Sequence, residues 1–192
     1  MQHDTTHTHT HARTQNFQLL HNELVTSIPL ALKVKLAYQA AKGMAFLHSS
    51  GIVHRDLKSL NLLLDHKWNV KVSDFGLTLF KDSIMKKENN QRVVGSIPWM
   101  APELLDGSAS RNHAMCDVYS YGVVLWELLF RAQPYEGLAP PQIAVAVLRN
   151  DLRPFVPVGE YSPAEESYLA LTNRCWHREY AWIADAHAHV LC

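Results

Sequence analysis

Asp74 comes thirteen residues after Asn61, and the segment between them constrains the local fold more than any other part of the chain. Leu62-Leu63-Leu64 and Val70-Lys71-Val72 read as two short strands, joined by the turn-prone Asp65-His66-Lys67-Trp68-Asn69. A hairpin closed at that turn presents Asn61 and Asp74 from its two ends, with no long-range pairing required. Immediately upstream, His54-Arg55-Asp56-Leu57-Lys58-Ser59-Leu60-Asn61 supplies a second carboxylate and a lysine. Two carboxylates, an amide and an ammonium at these spacings suit phosphoryl transfer from a metal-bound nucleotide. Asp56 can accept a hydroxyl proton, while Asn61 and Asp74 can hold Mg²⁺ between phosphate oxygens. Such chemistry is mostly positioning and charge neutralisation, so a few fixed oxygen atoms carry most of it.

These two motifs, in this order, resemble the catalytic loop and metal loop of eukaryotic protein kinases. Gly95-Ser96-Ile97-Pro98-Trp99-Met100-Ala101-Pro102-Glu103 is similar to the end of a kinase activation segment. Asp117-Val118-Tyr119-Ser120-Tyr121-Gly122-Val123-Val124-Leu125-Trp126-Glu127-Leu128 is similar to the central buried helix of that family. The resemblance covers residues 17 to 177, read as the large, C-terminal lobe of the kinase fold. It is nearest to the tyrosine-kinase-like group, whose members mostly phosphorylate serine and threonine. The Trp99-to-Glu103 string, Cys175-Trp176 and the serine/threonine-type Lys58 carry that placement.

The resemblance implies an α+β fold, mostly α-helical, with a short β hairpin at the catalytic loop. It implies ATP and Mg²⁺ as cofactors and protein serine or threonine hydroxyls as substrate. Asp56 would be the catalytic base, Lys58 would neutralise the γ-phosphate during transfer, and Asn61 and Asp74 would be the metal pair. Leu63 would form the floor beneath the adenine. Asp56, Lys58 and Asn61 thus make up the catalytic set, and Lys58, Asn61, Leu63 and Asp74 the nucleotide set. His54 and Phe75 resemble the large-lobe members of the family's regulatory hydrophobic stack. Arg55 could fork onto a phosphate placed on the activation segment. Thr78, Ser83 and Ser96 are the hydroxyls there, Ser83 the freest, with Ser96 instead shaping the substrate site near Asp56. Asp117 matches an aspartate that holds the catalytic loop's backbone; a simple N-cap to the apolar helix is the plainer reading, and both can hold because each asks for an acceptor facing backbone N–H groups.

Both ends depart from the family pattern. A kinase needs a Gly-rich loop, a strand lysine and a helix glutamate to cradle the phosphates. Upstream of residue 17 there is no glycine, no strand pattern and no Val-Ala-x-Lys; the first glycine is Gly43. The small lobe is therefore expected to be absent, supplied by sequence not seen here. A second reading is a catalytically inactive binding or scaffolding module built on the large lobe. At the other end, the Arg-Pro expected after Cys175-Trp176 does not appear, and residues 178–192 read as a divergent tail. Glu103, which in the family pairs with an arginine of a final helix, is left without that partner.

Composition adds limits. Eighteen basic and eighteen acidic residues cancel, so net charge gives no pull toward nucleic acid or an anionic membrane. Cys116, Cys175 and Cys192 are dispersed, which favours a reducing, cytoplasmic setting over a disulfide framework. The longest apolar run, Val118 to Phe130, carries Ser120 and Glu127 and is too short to span a bilayer, so it reads as a core helix. Residues 1–16 form a Thr/His/Gln-rich tail read as disordered, and its alternating His3, His7, His9 and His11 are not taken as a metal site. A short helical turn is expected over Phe17 to Leu24. Thr26-Ser27 then supplies a cap and Pro29 a start for a helix striped by Leu32, Leu36, Ala40, Met44 and Leu47, ending near Gly51. Further helices are expected from Pro140 to Arg149 and from Ala164 to Trp176.

Overall fold

The computed structural model describes residues 14–15, 20, 25–74, 79–80, 94–107 and 113–177. In chain order the elements are β1 (Thr14–Gln15), α1 (Leu30–Ser49), β2 (Ile52–Val53), β3 (Leu62–Leu64), β4 (Val70–Val72), β5 (Leu79–Phe80), α2 (Pro102–Leu105), α3 (His113–Phe130), α4 (Pro140–Asn150) and α5 (Pro163–Cys175). Two 3₁₀ turns, Ser59–Asn61 and Val94–Trp99, carry residues of the candidate site. The described chain is mostly helical, as expected. The histidine tail, most of the Phe17–Leu24 turn, the middle of the activation segment and residues 178–192 lie outside the described residues.

Helix α1 buries Leu36, Ala40, Met44 and Leu47 along the expected stripe. Its start differs from the sequence reading, because neither Thr26 nor Ser27 caps it. Pro29 stands at the cap position with φ −57° and ψ 142°, and its carbonyl receives the N–H groups of Leu32 (2.9 Å) and Lys33 (3.1 Å). The pyrrolidine ring presets that conformation, so the first turn closes without a side-chain acceptor. At the other end Gly51 takes φ +75°, a left-handed geometry that glycine adopts without a Cβ clash.

Strands β3 and β4 form the expected hairpin, pairing Leu62 with Val72, Leu63 with Lys71 and Leu64 with Val70. The Asp65 carboxylate holds the turn, accepting the Lys67 and Asn69 N–H groups at 2.8 and 2.9 Å and the Asn69 side-chain amide at 2.9 Å. Those bonds, led by the one from the Asn69 side chain, draw its carboxyl down to about 2. Thr14 and Gln15, read from sequence as part of the polar tail, instead pair antiparallel with Leu64 and Leu63 as the edge strand β1. Two residues are too few to show strand alternation, and the free edge of β3 is what recruits them. Strands β2 and β5 make a separate two-stranded ladder.

Helix α3 is the centre of the core, with Val123, Val124, Leu125 and Leu128 fully buried and α1 and α5 packed on it. Gly122 lets α5 approach closely: a Cβ there would lie 2.8 Å from Cys175 Cβ and 3.3 Å from the Trp176 backbone nitrogen. Because the second neighbour is backbone, Gly122→Ala is expected to destabilise the fold by about 1–3 kcal/mol. Thermal denaturation followed by circular dichroism checks this; an unchanged midpoint would contradict so tight a contact.

Arg153 ties the end of α4 to the end of α5. It donates to the Trp176 and Leu152 carbonyls at 2.9 Å each, pairs with Asp151 at 2.9 Å, and lies 5.2 Å from the Tyr119 ring centre. Glu103 forms no ion pair among the described residues, and accepts only the Cys116 thiol at 3.5 Å.

Candidate active site

The loop that carries Asp56 is anchored from beneath by α3. Asp117 is 1% exposed and lies inside that helix, which already runs from His113, so of its two expected roles the N-cap is not the one it plays. Its carboxylate accepts the His54 N–H at 2.9 Å on Oδ2 and the Arg55 N–H at 2.8 Å on Oδ1. The His48 ring, buried on α1, approaches the same Oδ2 at 2.8 Å. Arg55 is thereby held at φ +68°, a left-handed conformation that a side chain as large as arginine rarely adopts without such support.

His54 is fully buried and orients the loop beyond it. Its Nε2 lies 3.0 Å from the Ser73 carbonyl and its Nδ1 accepts the Asp56 N–H at 3.3 Å, a combination that calls for the tautomer with its proton on Nε2. Asp56 then presents two unlike oxygens. Oδ2 accepts from Lys58 Nζ at 2.9 Å and from the Asn61 side-chain amide at 3.1 Å. Oδ1 is buried and accepts no hydrogen bond from the described residues. Lys58 also donates to Ser96 Oγ at 2.8 Å, so one ammonium joins the catalytic loop to the segment after the activation loop.

Asn61 gives its second amide hydrogen to the Asp56 carbonyl at 2.7 Å, leaving its own Oδ1 uncommitted among the described residues. The Asn61 carbonyl accepts the N–H and hydroxyl of Ser73 at 2.9 and 3.0 Å, which brings the exposed Asp74 (φ +61°) to the same end of the hairpin. Two hard oxygen donors suit Mg²⁺, which takes few protein ligands and shares the rest with phosphate and water. Leu63 is half-buried between the buried Leu62 and Leu64. Of the residues singled out in the sequence, Asp56, Lys58, Asn61 and Ser96 form one hydrogen-bonded group. Phe75, Thr78 and Ser83 lie outside the described residues.

Sequence reasoning did not find Glu127. It is 0% exposed in α3, accepting the Ser59 hydroxyl at 2.8 Å and the Trp99 indole N–H at 2.7 Å. Its one signal was a charge within the apolar run from Val118 to Phe130. Burial pushes its carboxyl up to about 8, against the pull of the Trp99 and Ser59 donors. The unfolded group titrates near 4.5, so between those two values only the folded protein keeps the proton. This contribution to stability is full below about 4.5 and is lost as pH rises toward about 8. Glu127→Gln is expected to flatten that slope, measured by urea unfolding across the interval; an unchanged slope would assign the dependence elsewhere.

A family model described as protein tyrosine and serine/threonine kinase matches residues 9–181. The chain belongs to that kinase family. An Acanthamoeba polyphaga mimivirus protein named as a serine/threonine-protein kinase/receptor is 56% identical over 165 residues, covering 85% of this chain and 10% of its own length. A Dictyostelium discoideum protein named as a serine/threonine-protein kinase is 42% identical over 163 residues, covering 85% of this chain and 17% of its own length. An Arabidopsis thaliana serine/threonine/tyrosine-protein kinase is 37% identical over 150 residues, covering 78% of this chain and 36% of its own length. The kinase chain thus spans about a tenth of the viral relative and about a third of the plant one. The tyrosine-kinase-like character of its motifs agrees with the description of the family model and with the name of the plant relative. Among the described residues of this kinase chain, no helix is long and apolar enough to cross a membrane.

Proposed function

We propose that residues 17–177 are the large lobe of a serine/threonine protein kinase that passes the γ-phosphate of ATP to protein hydroxyls. The observation that carries this is Asp56. One carboxylate oxygen is fixed by Lys58 and Asn61, and the other is buried with no donor among the described residues. A buried acceptor left open in a site otherwise well bonded is suited to a substrate hydroxyl, whose proton it receives as the oxygen attacks phosphorus. Lys58, between Asp56 and Ser96, sets its positive charge where the transferring phosphoryl group would pass, and the short Ser96 hydroxyl leaves room for a serine or threonine.

Asn61 Oδ1 and the Asp74 carboxylate would hold Mg²⁺ with ATP phosphate oxygens, and Leu63 would lie under the adenine. Bound Mg²⁺ supplies charge neutralisation for the phosphates. The Gly-rich loop and strand lysine of a small lobe are proposed to come from sequence outside residues 1–192. A cytoplasmic setting is supported by Cys116 and Cys175, which are buried and form no disulfide among the described residues.

The test is transfer of labelled γ-phosphate by the full-length protein to a degenerate peptide library, with phosphoamino-acid analysis of the product. Phosphoserine and phosphothreonine are expected. Peptide binding with no transfer would move the chain to the binding-module reading, and phosphotyrosine alone would overturn the substrate class.

A further inference from the structure

Apart from the residues already given roles, one buried acid joins the two segments that build the site. Glu127 projects from the last turn of α3 with its two oxygens committed to different parts of the chain. One holds Ser59, which begins the turn ending at Asn61; the other holds Trp99, which ends the turn carrying Ser96. The Trp99 backbone is gripped as well, since its carbonyl accepts the Ser120 hydroxyl of the same helix at 2.7 Å. With Asp117 ten residues earlier on the helix, α3 therefore fixes both the Asp56 loop and the Ser96 segment from below. Lys58 spans the top of that gap, bonded to Asp56 on one side and Ser96 on the other. Any change in the spacing of the two segments must move Lys58 or break one of its bonds.

We propose that Glu127 is a positioning residue for phosphoryl transfer, setting through Ser59 and Trp99 the distance between Asp56 and the segment against which the acceptor hydroxyl is placed. This rests on the kinase reading of the site. Glu127 touches no reacting atom and acts only through its two partners. A buried carboxyl carries a desolvation cost that a leucine at the same place would not, so packing alone gives no reason for its presence.

The experiment uses the full-length protein with three kinds of change. Ser59→Ala and Trp99→Phe each remove one donor. Glu127→Gln keeps one acceptor oxygen, and S59A/W99F/E127L removes all three polar partners at once, so that no buried donor is stranded. Steady-state kinetics with peptide and ATP is paired with amide hydrogen exchange over residues 56–64 and 94–101. The triple variant is expected to melt cooperatively yet turn over about 10- to 100-fold more slowly, as for a reacting group misplaced by an ångström. Ser59→Ala should act mainly on kcat, Trp99→Phe mainly on the peptide KM, and Glu127→Gln should fall between wild type and the triple variant. Exchange should rise in both segments of the triple variant.

A folded triple variant with wild-type kcat, KM and exchange overturns the proposal. If it fails to fold, the two single substitutions decide by the same readouts, since a purely structural bridge would lower the melting point while leaving both constants unchanged at low temperature. If the wild type itself transfers no phosphate, the kinase reading fails, and with it the positioning role of Glu127. The exchange data then report only whether the bridge holds the two segments.

Discussion

Asp56→Asn is expected to lower phosphoryl transfer by about 10²–10⁴ while leaving the fold intact. The asparagine is isosteric, and its oxygen can still accept from Lys58 and Asn61 at the place now taken by Oδ2. What changes is the buried Oδ1, which becomes an amide nitrogen that cannot receive a hydroxyl proton. The loss should therefore fall on kcat, with little change in the melting temperature or in affinity for Mg²⁺-nucleotide. Rapid-quench kinetics beside a thermal melt checks both parts. A variant that kept its kcat would remove Asp56 from the role of base, whereas one that unfolded would show that the carboxylate is chiefly structural.

The second large effect is on stability. Asp117→Ala removes the carboxylate that accepts the buried His54 N–H and the part-buried Arg55 N–H, and with it a partner of the His48 ring. Stranded buried donors cost about 1–3 kcal/mol each, so a loss of about 3–5 kcal/mol is expected. At roughly 2–4 °C per kcal/mol for a domain of this size, the midpoint should fall by about 6–20 °C. Arg55 would also be released from its left-handed backbone, so turnover should drop even below the new midpoint. Asp117→Asn, which keeps one acceptor oxygen, should recover part of the stability. Equal melting points for wild type and Asp117→Ala would show that the loop holds itself.

What the sequence made legible was what is local or strongly patterned. The β3–β4 hairpin could be read because its strands and turn are contiguous, and α1 because its buried side chains recur at helical spacing. The Asp56 group was legible because Asp56, Lys58 and Asn61 fall within six consecutive positions. The parts that escaped reading depend on pairings between distant segments. Ser59 and Glu127 are sixty-eight residues apart, and nothing in either neighbourhood says that a hydroxyl and a carboxyl will meet in the core. Strand β1 escaped because its pairing is dictated by the edge of β3 and not by its own two residues. The start of α1 was misread for a related reason: a backbone carbonyl already served where a side-chain cap was expected.

The most direct test of the site is single-turnover phosphate transfer by wild type, Asp56→Asn and Asp74→Asn across a range of Mg²⁺ concentrations. If Asp56 is the base and Asp74 a metal ligand, the two variants fail differently. Asp74→Asn should need markedly more Mg²⁺ to approach its plateau, while Asp56→Asn should keep the wild-type Mg²⁺ dependence and reach a plateau about 10²–10⁴ lower. Three superimposable curves would contradict the assignment of both residues.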